Sequence, residues 1–380
     1  MAPPMGTTSI PAYDLDAPPA VPRGSLRAAN PEERFTRIGS WVAALALAWV
    51  ITQRLLPMGG PTWLLLTTFV MGIVLTAVTA AMTGSVIEVV DRVVTAFITG
   101  AALLVGFALL STLYYVFSHG WKPLMHPNFY FSDMAGTGPR DPFTKGGIVH
   151  AIAGSLIEVG IAILVTVPLG IGTAVFMTEI GGKFAKVVRT VVEAMTALPS
   201  IVAGLFIYTV MIIGLGFPRS GLCAAMALAV MMLPIIARAS DVVLRVVPGG
   251  LREASLALGA SRWKTVWHVV LPTARPGLAT ALILGIARGI GETSPVLLTS
   301  GAASFLVLNP NGGVMNSLPL YIYSTVRSGE PIAIERAFAA ASVLLILVLF
   351  LFVVARLLAR QRTTKPSRRP GLIKRLRESS

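Results

Sequence analysis

Eight apolar stretches, each long enough to cross a lipid bilayer, constrain this chain more than any other feature. A helix needs about 20 mostly apolar residues to span the hydrocarbon core, and a backbone there must be satisfied within helices or closed barrels. The pattern predicts an all-α polytopic membrane protein with about eight transmembrane helices. The predicted spans are 38–56, 62–84, 93–117, 149–178, 190–215, 220–238, 276–299 and 335–358.

Three local features are predicted between or within these spans. Pro168 and Gly170 interrupt the apolar pattern of the fourth span and predict a kink there. Glu88 and Arg92 lie in a segment, 85–92, that reads as a short polar turn between the second and third spans. The spans should therefore be separated by short connections, apart from the longer loops 118–147, 239–275 and 300–334.

Composition agrees with a membrane protein. Only 13% of the residues are charged, against about 25% in soluble domains. The net charge of +14 does not indicate nucleic-acid binding, because Lys and Arg lie in the loops and tails that flank the spans. Cys223, the single cysteine, allows neither an intrachain disulfide nor a cysteine metal site. Residues 1–36, rich in Pro and Ala, predict a disordered leader and not a cleavable signal peptide.

The positive charges also predict an orientation. With both termini in the cytoplasm, 23 of the 31 Lys and Arg residues fall on the cytoplasmic side, as the positive-inside rule expects. This arrangement places the 239–275 loop and a basic tail, 359–380, in the cytoplasm. It places the 118–147 and 300–334 loops outside.

The 239–275 loop is predicted to fold locally. Pro248 can open a helix at its first turn, and Gly259 suits the position just past the end of that helix. Ser261 can cap a second short helix, which Pro272 should stop. A short helix with a small-residue face suits docking into the groove of a partner.

The seventh span carries an unusual charged pair. Ala281, Gly285 and Gly289 recur every four residues and predict a face that another helix can approach closely. Arg288 and Glu292 lie beside this face, one helical turn apart, and are expected to point into the bundle. Charged residues within a span are costly, so they are a functional hypothesis by default.

A motif in the 239–275 loop carries a first family resemblance. The loop contains E-A-S-x3-G-x9-V-x-L-P, which resembles the Glu-Ala-Ala (EAA) loop of ABC importer permeases. The matching residues are Glu253, Ala254, Ser255, Gly259, Val269, Leu271 and Pro272. The resemblance implies that this loop docks on a separate ATPase; otherwise it would be an ordinary amphipathic connector.

Four further segments resemble phosphate permeases of the PstA type, within the binding-protein-dependent, MetI-like permease family. They are P-L-G-I-G-T-A-V-F-M-T-E at 168–179, L-P-S-I-V-A-G-L-F at 198–206, A-R-G-I-G-E-T-S-P at 287–295 and S-L-P-L-Y-I-Y at 317–323. The resemblance implies a six-helix MetI-like core over 93–358, preceded by an extra transmembrane hairpin at 37–92. It further implies a bacterial plasma-membrane location.

The same resemblance implies the partners. They would be a second homologous permease, an ABC ATPase dimer and an extracytoplasmic phosphate-binding protein. No G-x-x-x-x-G-K-S/T occurs in the chain, so it has no phosphate-cradling loop of its own for ATP. The expectation is a non-catalytic transport subunit, contacting phosphate and membrane lipid, with no cofactor and no metal site.

An anion crossing a bilayer needs a cation or aligned donors, and Arg288 supplies a guanidinium. Glu292 would neutralise it when no anion is bound. The alternative is a latch in which the pair only joins helices. Thr196 and Ser200, beside Pro199, offer hydroxyl donors near a broken helix, or simply pack there.

Three other functions stay open from the residues. One is import of another oxyanion, such as sulfate or molybdate. A second is an ion-coupled secondary transporter that uses Arg288 and Glu292 without an ATPase. The third is a structural or sensory membrane subunit.

Overall fold

The computed structural model describes residues 31–56, 60–83 and 85–359, and within them it is built from helices joined by turns. The α-helices are α1 (Pro31–Val50), α2 (Pro61–Thr83), α3 (Val86–Leu124), α4 (Asn128–Phe131), α5 (Val149–Val175), α6 (Gly182–Thr196), α7 (Ser200–Ile207), α8 (Gly221–Val246), α9 (Gly249–Ala257), α10 (Arg262–Thr265), α11 (Leu271–Ile290), α12 (Ser294–Thr299), α13 (Leu318–Val326) and α14 (Pro331–Ala359). π-helical turns occupy Ile51–Leu55, Phe176–Ile180, Tyr208–Gly214 and Val266–Val270.

The chain divides into two compact units, 1–111 and 112–380, and the division falls inside α3. In the first unit α1 packs on α2. A Cβ at Gly72 would lie 2.5 Å from the Trp41 ring, so only glycine admits this indole. The division predicted from the resemblance, a hairpin at 37–92 and a core at 93–358, stays a prediction.

Two sequence predictions are wrong at the N-terminal end. Residues 31–36, predicted as leader, are helical in α1, while residues 1–30 lie outside the described part of the chain. In the segment predicted as a polar turn, 85–92, residues 86–92 instead form the first turns of α3. The Arg92 guanidinium lies 2.5 Å from the Glu88 carboxylate one turn earlier, and such an i,i+4 pair supports the helix.

The core of the second unit lies between α5 and α8. Gly170 allows close approach, because a Cβ there would come within 2.9 Å of the Ile236 side chain on α8. Pro168 lies inside α5, which continues without a break to Val175 and then into the π-helical turn Phe176–Ile180. The kink expected at Pro168 stays a prediction.

Seven helices in the described part of the chain are long and apolar enough to cross a membrane. An eighth crossing requires that a bent pair, 182–196 and 200–214, count as one span; its two helices meet at 107°. The predicted fifth span, 190–215, is therefore bent, and its break beside Pro199 agrees with the broken helix that the sequence predicts there. Pro199, with extended backbone at φ −60° and ψ 142°, causes the break. The 182–189 segment, predicted as a loop, belongs to α6.

Pro272 does not stop a helix, which corrects the predicted layout of the 239–275 loop. Residues 262–290 form one continuous helical segment through α10, a π-helical turn and α11. The π turn Val266–Val270 places Pro272 in the first turn of α11. A π-helical turn changes the local hydrogen-bonding register, so the helix continues through Pro272 although this residue has no N–H to donate.

A buried arginine organises the loop that precedes α5. The Arg336 side chain on α14 is 2% exposed. Its guanidinium donates hydrogen bonds to the carbonyl oxygens of Gly138, Asp141, Pro142 and Lys145, at 3.4, 3.0, 2.8 and 2.9 Å. Four backbone acceptors are thus satisfied by one side chain, and the loop is fixed against α14.

Candidate functional site

Arg288 and Glu292 form an ion pair at the end of α11. The helix ends at Ile290, so Glu292 lies in the turn before α12 and not on the helix itself. The Glu292 side chain is 7% exposed, whereas that of Arg288 is 55% exposed. The expectation that both point into the bundle is therefore wrong for Arg288. Its guanidinium remains accessible while it is paired with a buried carboxylate.

The small-residue face of α11 packs on α8, as predicted. A Cβ at Gly285 would come within 2.5 Å of Ile236, and one at Gly289 within 2.5 Å of Met232. Ala281, the third member of the face, is buried at 2% exposure. Close packing of these helices fixes the backbone that carries Arg288.

The segment after Glu292 packs on α7. A Cβ at Gly204 would lie 2.7 Å from the Pro295 Cα, so the two backbones nearly touch. Ser200 begins α7 and is half-buried, and Thr196 ends α6. The exposed Thr196 hydroxyl donates to the Glu193 carbonyl at 2.6 Å.

Packing therefore brings α7, which begins at Ser200, against the helix that follows Glu292. It does not join the two predicted hydroxyls to the ion pair. Within the described ranges, neither Thr196 nor Ser200 is hydrogen-bonded to Arg288 or Glu292. The Thr196 hydroxyl is already committed to its own helix.

The candidate coupling loop has the predicted turn chemistry. Gly259 follows α9 with φ +83°, a left-handed conformation that favours glycine. The Ser261 hydroxyl accepts from the Lys264 N–H at 3.4 Å and caps α10. The Ser255 and Thr265 hydroxyls are hydrogen-bonded at 2.9 Å. This bond fixes α9 against the start of the long helical segment.

Glu253 and Ala254 lie on the exposed side of α9. Large apolar side chains are exposed nearby: Leu258 at 89%, Trp263 at 67% and Trp267 at 53%. Leu271 and Pro272 are half-buried where the segment turns into α11. Clustered exposed apolar groups of this size mark an interaction surface.

The contacts of Arg252, just before Glu253, were not predicted from the sequence. Its Nη2 and Nε atoms lie 2.8 and 3.1 Å from Glu179 Oε1, in the π turn after α5. It also donates to the carbonyl oxygens of Leu244 and Val247 at 2.8 and 2.7 Å. Arg252 therefore anchors α9 to the ends of α5 and α8. Glu179 is the last residue of the 168–179 segment that resembles PstA-type permeases, but no local sequence pattern pairs it with Arg252.

A second ionic cluster lies on α8. The Asp241 carboxylate accepts from Arg189 of α6 at 3.2 Å and from Arg245 at 3.1 Å. The Arg189 contact holds α6 against α8, whereas the Arg245 contact lies within α8. One ion pair thus joins α6 to α8, and another joins the candidate coupling loop to the end of α5.

Comparison with known proteins identifies the family. A family model described as "Binding-protein-dependent transport system inner membrane component" matches residues 166–364, more than half of the chain. The chain belongs to this family. The match includes the coupling loop and the Arg288–Glu292 pair.

Relatives at higher identity agree with this family assignment. "Phosphate transport system permease protein PstA 1" of Mycobacterium tuberculosis is 38% identical over 259 residues, which cover 68% of this chain and 84% of that protein. "Phosphate transport system permease protein PstA" of Pasteurella multocida is 34% identical, with 58% and 79% covered.

Among solved structures, a chain of the MetNI methionine ABC transporter in an inward-facing conformation matches with a TM-score of 0.45 and 21% identity, covering 57% of this chain and 95% of that one. This likeness is too low to add to the assignment. As a family member, the chain is a multi-pass membrane permease subunit.

Proposed function

We propose that this permease is the transmembrane subunit of an ATP-driven phosphate importer. The observation that carries the proposal is the relatives named phosphate transport system permease, of which this chain spans 84% at 38% identity. Their name also favours phosphate over sulfate or molybdate. In this proposal the chain forms half of the translocation path, and a second homologous permease forms the other half.

The Arg288–Glu292 pair is the proposed anion site. A guanidinium offers planar N–H donors that match phosphate oxygens. The 55% exposure of Arg288 allows an anion to approach, while the buried Glu292 holds the cation when no anion is present. Glu292 repels a phosphate dianion, so substrate must displace it from Arg288. A pair that served only as a latch would not require an exposed guanidinium.

Ser200 belongs to the proposed path because α7 packs against the segment that follows Glu292. Thr196 is a weaker candidate, since its hydroxyl donates within α6. A hydroxyl can supply one donor to a phosphate oxygen. The positive charge of Arg288 therefore remains the main source of attraction.

The loop around Glu253, Ala254, Ser255 and Gly259 is the proposed contact with the ATPase subunits. The exposed side chains of Leu258 and Trp263 support this role, since short apolar helices dock into grooves of partner proteins. Leu271 and Pro272 join the loop to α11 in one helical segment. Motion imposed on the loop would therefore reach Arg288 through a continuous helix, and through Arg252 it would reach α5.

The remaining partners and the orientation belong to the same proposal. An external binding protein would deliver phosphate to the loops at 118–147 and 300–334. The Arg140 guanidinium on this side, hydrogen-bonded to Glu330 at 2.7 Å, lowers the pKa of that carboxyl. Both termini would lie in the cytoplasm of a bacterial cell.

Reconstitution in vesicles tests this proposal. The complete transporter should take up phosphate in an ATP-dependent manner, and the Arg288→Leu/Glu292→Leu double variant should assemble but lose uptake. A latch alone predicts that a Gln pair, which can still hydrogen-bond, keeps most activity. Uptake of phosphate by this chain alone would contradict the proposal and favour a secondary transporter. Preferred uptake of sulfate would also overturn it.

A further inference from the structure

The amphipathic helix α6 lies at the end of α5 and turns sharply away from α7. Gly181 and Gly182, with φ of +68° and +87°, reverse the chain between the π turn after α5 and α6. The helix meets the following one at 107°. If α7 crosses the bilayer, α6 lies close to the plane of the membrane surface, where amphipathic helices bind.

Three faces of α6 have different surroundings. One face, with Ala185 and Val192 buried, packs on α8. A second is apolar but exposed, with Phe184 at 68%, Val187 at 56% and Val191 at 52%. The third is polar and exposed, and it consists of Lys183, Lys186, Thr190 and Glu193. A helix with exposed apolar and cationic faces side by side is suited to a lipid headgroup boundary.

A groove of about 390 Å³ separates the apolar face of α6 from α5. It is lined by Pro168, Leu169, Gly172, Thr173, Phe176, Phe184 and Val188. The one hydroxyl in this lining, that of Thr173, is already bonded to the Leu169 carbonyl at 2.7 Å. The groove therefore offers an apolar surface. Gly172 leaves it open, since a Cβ there would meet no atom within 4 Å.

Two cations lie on the same helix as the groove residues Phe184 and Val188, but on its polar face. Neighbouring residues of a helix point in different directions, so Lys183 and Lys186 border the exposed apolar face of α6 and do not line the groove. Arg189 on the same helix is already paired with Asp241. No ion pair is formed by Lys183 or Lys186 with any side chain in the described part of the chain, and both are exposed. Their charges are available to an anion beside an apolar cleft.

We propose that this groove binds an acyl chain of an anionic phospholipid, whose headgroup phosphate is bound by Lys183 and Lys186. Basic residues beside a span attract anionic lipid headgroups, and apolar area next to them retains the chain. The bound lipid would hold α6 against α5. The proposal does not depend on which solute the permease carries.

Lipid retention by the assembled transporter tests the role of the lysines. The complex is exchanged into detergent, titrated with phosphatidylglycerol or phosphatidylcholine of matched chains, and examined by native mass spectrometry. The Lys183→Gln/Lys186→Gln variant should lose about 25-fold in affinity for phosphatidylglycerol, since each lysine contributes about fivefold. Its affinity for phosphatidylcholine should stay unchanged. Lys145→Gln, an exposed lysine at the other end of α5, is the matched control.

A second variant tests the groove. Gly172→Phe places a ring in the groove from a position where a Cβ meets no atom within 4 Å, and it improves helix propensity, so binding of both lipids should fall. Gly160→Phe is the control, because Gly160 is also an open position on α5 but lies outside the groove. Both variants should keep the wild-type thermal midpoint; Gly172→Leu replaces Gly172→Phe if that variant does not fold.

Three results would overturn the proposal. One is equal lipid retention by the Gly172→Phe and Gly160→Phe variants. Another is an unchanged preference for phosphatidylglycerol in the lysine variant. The third is displacement of phosphatidylglycerol by millimolar inorganic phosphate, which would indicate a site for free anions.

Discussion

Arg336 and Glu158 both lie in the interior of the second unit, but their polar atoms have different surroundings. The Arg336 guanidinium satisfies backbone carbonyls of the preceding loop. Glu158, on α5, is 1% exposed, and its Oε1 atom has no hydrogen-bond partner in the described part of the chain. A buried polar group stabilises a fold only when its partners are present. The two residues should therefore respond to substitution with opposite signs.

Arg336→Met should destabilise the chain by about 2–4 kcal/mol, because several buried carbonyls lose their donor at once. The thermal midpoint in detergent should fall, and protease should cut the segment 134–147 faster. Arg327→Met is the control, because Arg327 is exposed and, among the described residues, its guanidinium is hydrogen-bonded to the Tyr323 hydroxyl alone. A midpoint equal to that of the control would show that water replaces the guanidinium at no cost.

Glu158→Met should stabilise the chain by about 1–3 kcal/mol, since it removes an unsatisfied buried oxygen and keeps the side-chain length. The thermal midpoint in detergent measures the effect, with Glu193→Met on the exposed face of α6 as the control. A clear loss of stability would mean that Glu158 has a partner in the assembled transporter. Wild-type uptake by the variant would separate this structural effect from transport.

At the scale of helices, several patterns within a few residues predict the structure, whereas pairings across the chain leave no local signal. The small-residue face of α11, the turn at Gly259 and the cap at Ser261 follow from spacings of at most eight residues. The contact between Arg252 and Glu179 joins positions 73 residues apart, and no local pattern indicates it. Pro272 was misread because proline stops a helix only where its N–H is needed, and the preceding π turn removes that need.

Pro199 predicts the break in the fifth span, but the course of α6 is not predicted. Hydropathy over 190–215 indicates only that the segment is apolar, whereas α6 is an amphipathic helix that begins before this segment. The exposure of the Arg288 guanidinium is not predicted from the sequence either, because the exposure of a side chain depends on which helices pack over it. The pairing of Arg288 with Glu292 follows from the sequence, because the two residues are four positions apart.

The Arg252–Glu179 contact predicts a coupling defect. Arg252→Glu places two carboxylates together and leaves the Leu244 and Val247 carbonyls without their donor. ATP-driven uptake should fall at least tenfold while ATP hydrolysis by the partner persists. The swap Glu179→Arg/Arg252→Glu should recover part of the uptake, because it restores the ion pair but not the carbonyl contacts.

Arg275→Glu controls for the charge change, since Arg275 is exposed on α11 and forms no ion pair with the described residues. No recovery in the swapped variant would assign the effect to the backbone contacts alone. Uptake by Arg252→Glu equal to that of Arg275→Glu would exclude the contact from coupling.

At the scale of the whole molecule, the topology depends on the bent pair of α6 and α7. Seven crossings would place the two termini on opposite sides of the membrane, and eight would place them on the same side. Eight crossings would collect 23 of the 31 Lys and Arg residues on one side, and the positive-inside rule favours such a topology. The turn at Phe217–Arg219, between α7 and α8, distinguishes the two topologies.

Single cysteines can locate this turn, because Cys223 is the one native cysteine and is buried. In intact cells an impermeant thiol reagent should label Arg219→Cys and Asn311→Cys. It should label Lys183→Cys and Glu253→Cys only in inverted vesicles. The reason is that α7 crosses the bilayer after α6 has run along its surface, so positions 183 and 219 lie on opposite sides. Labelling of both Arg219→Cys and Lys183→Cys only in inverted vesicles would show that α6 and α7 re-enter the membrane without crossing it. The two termini would then lie on opposite sides.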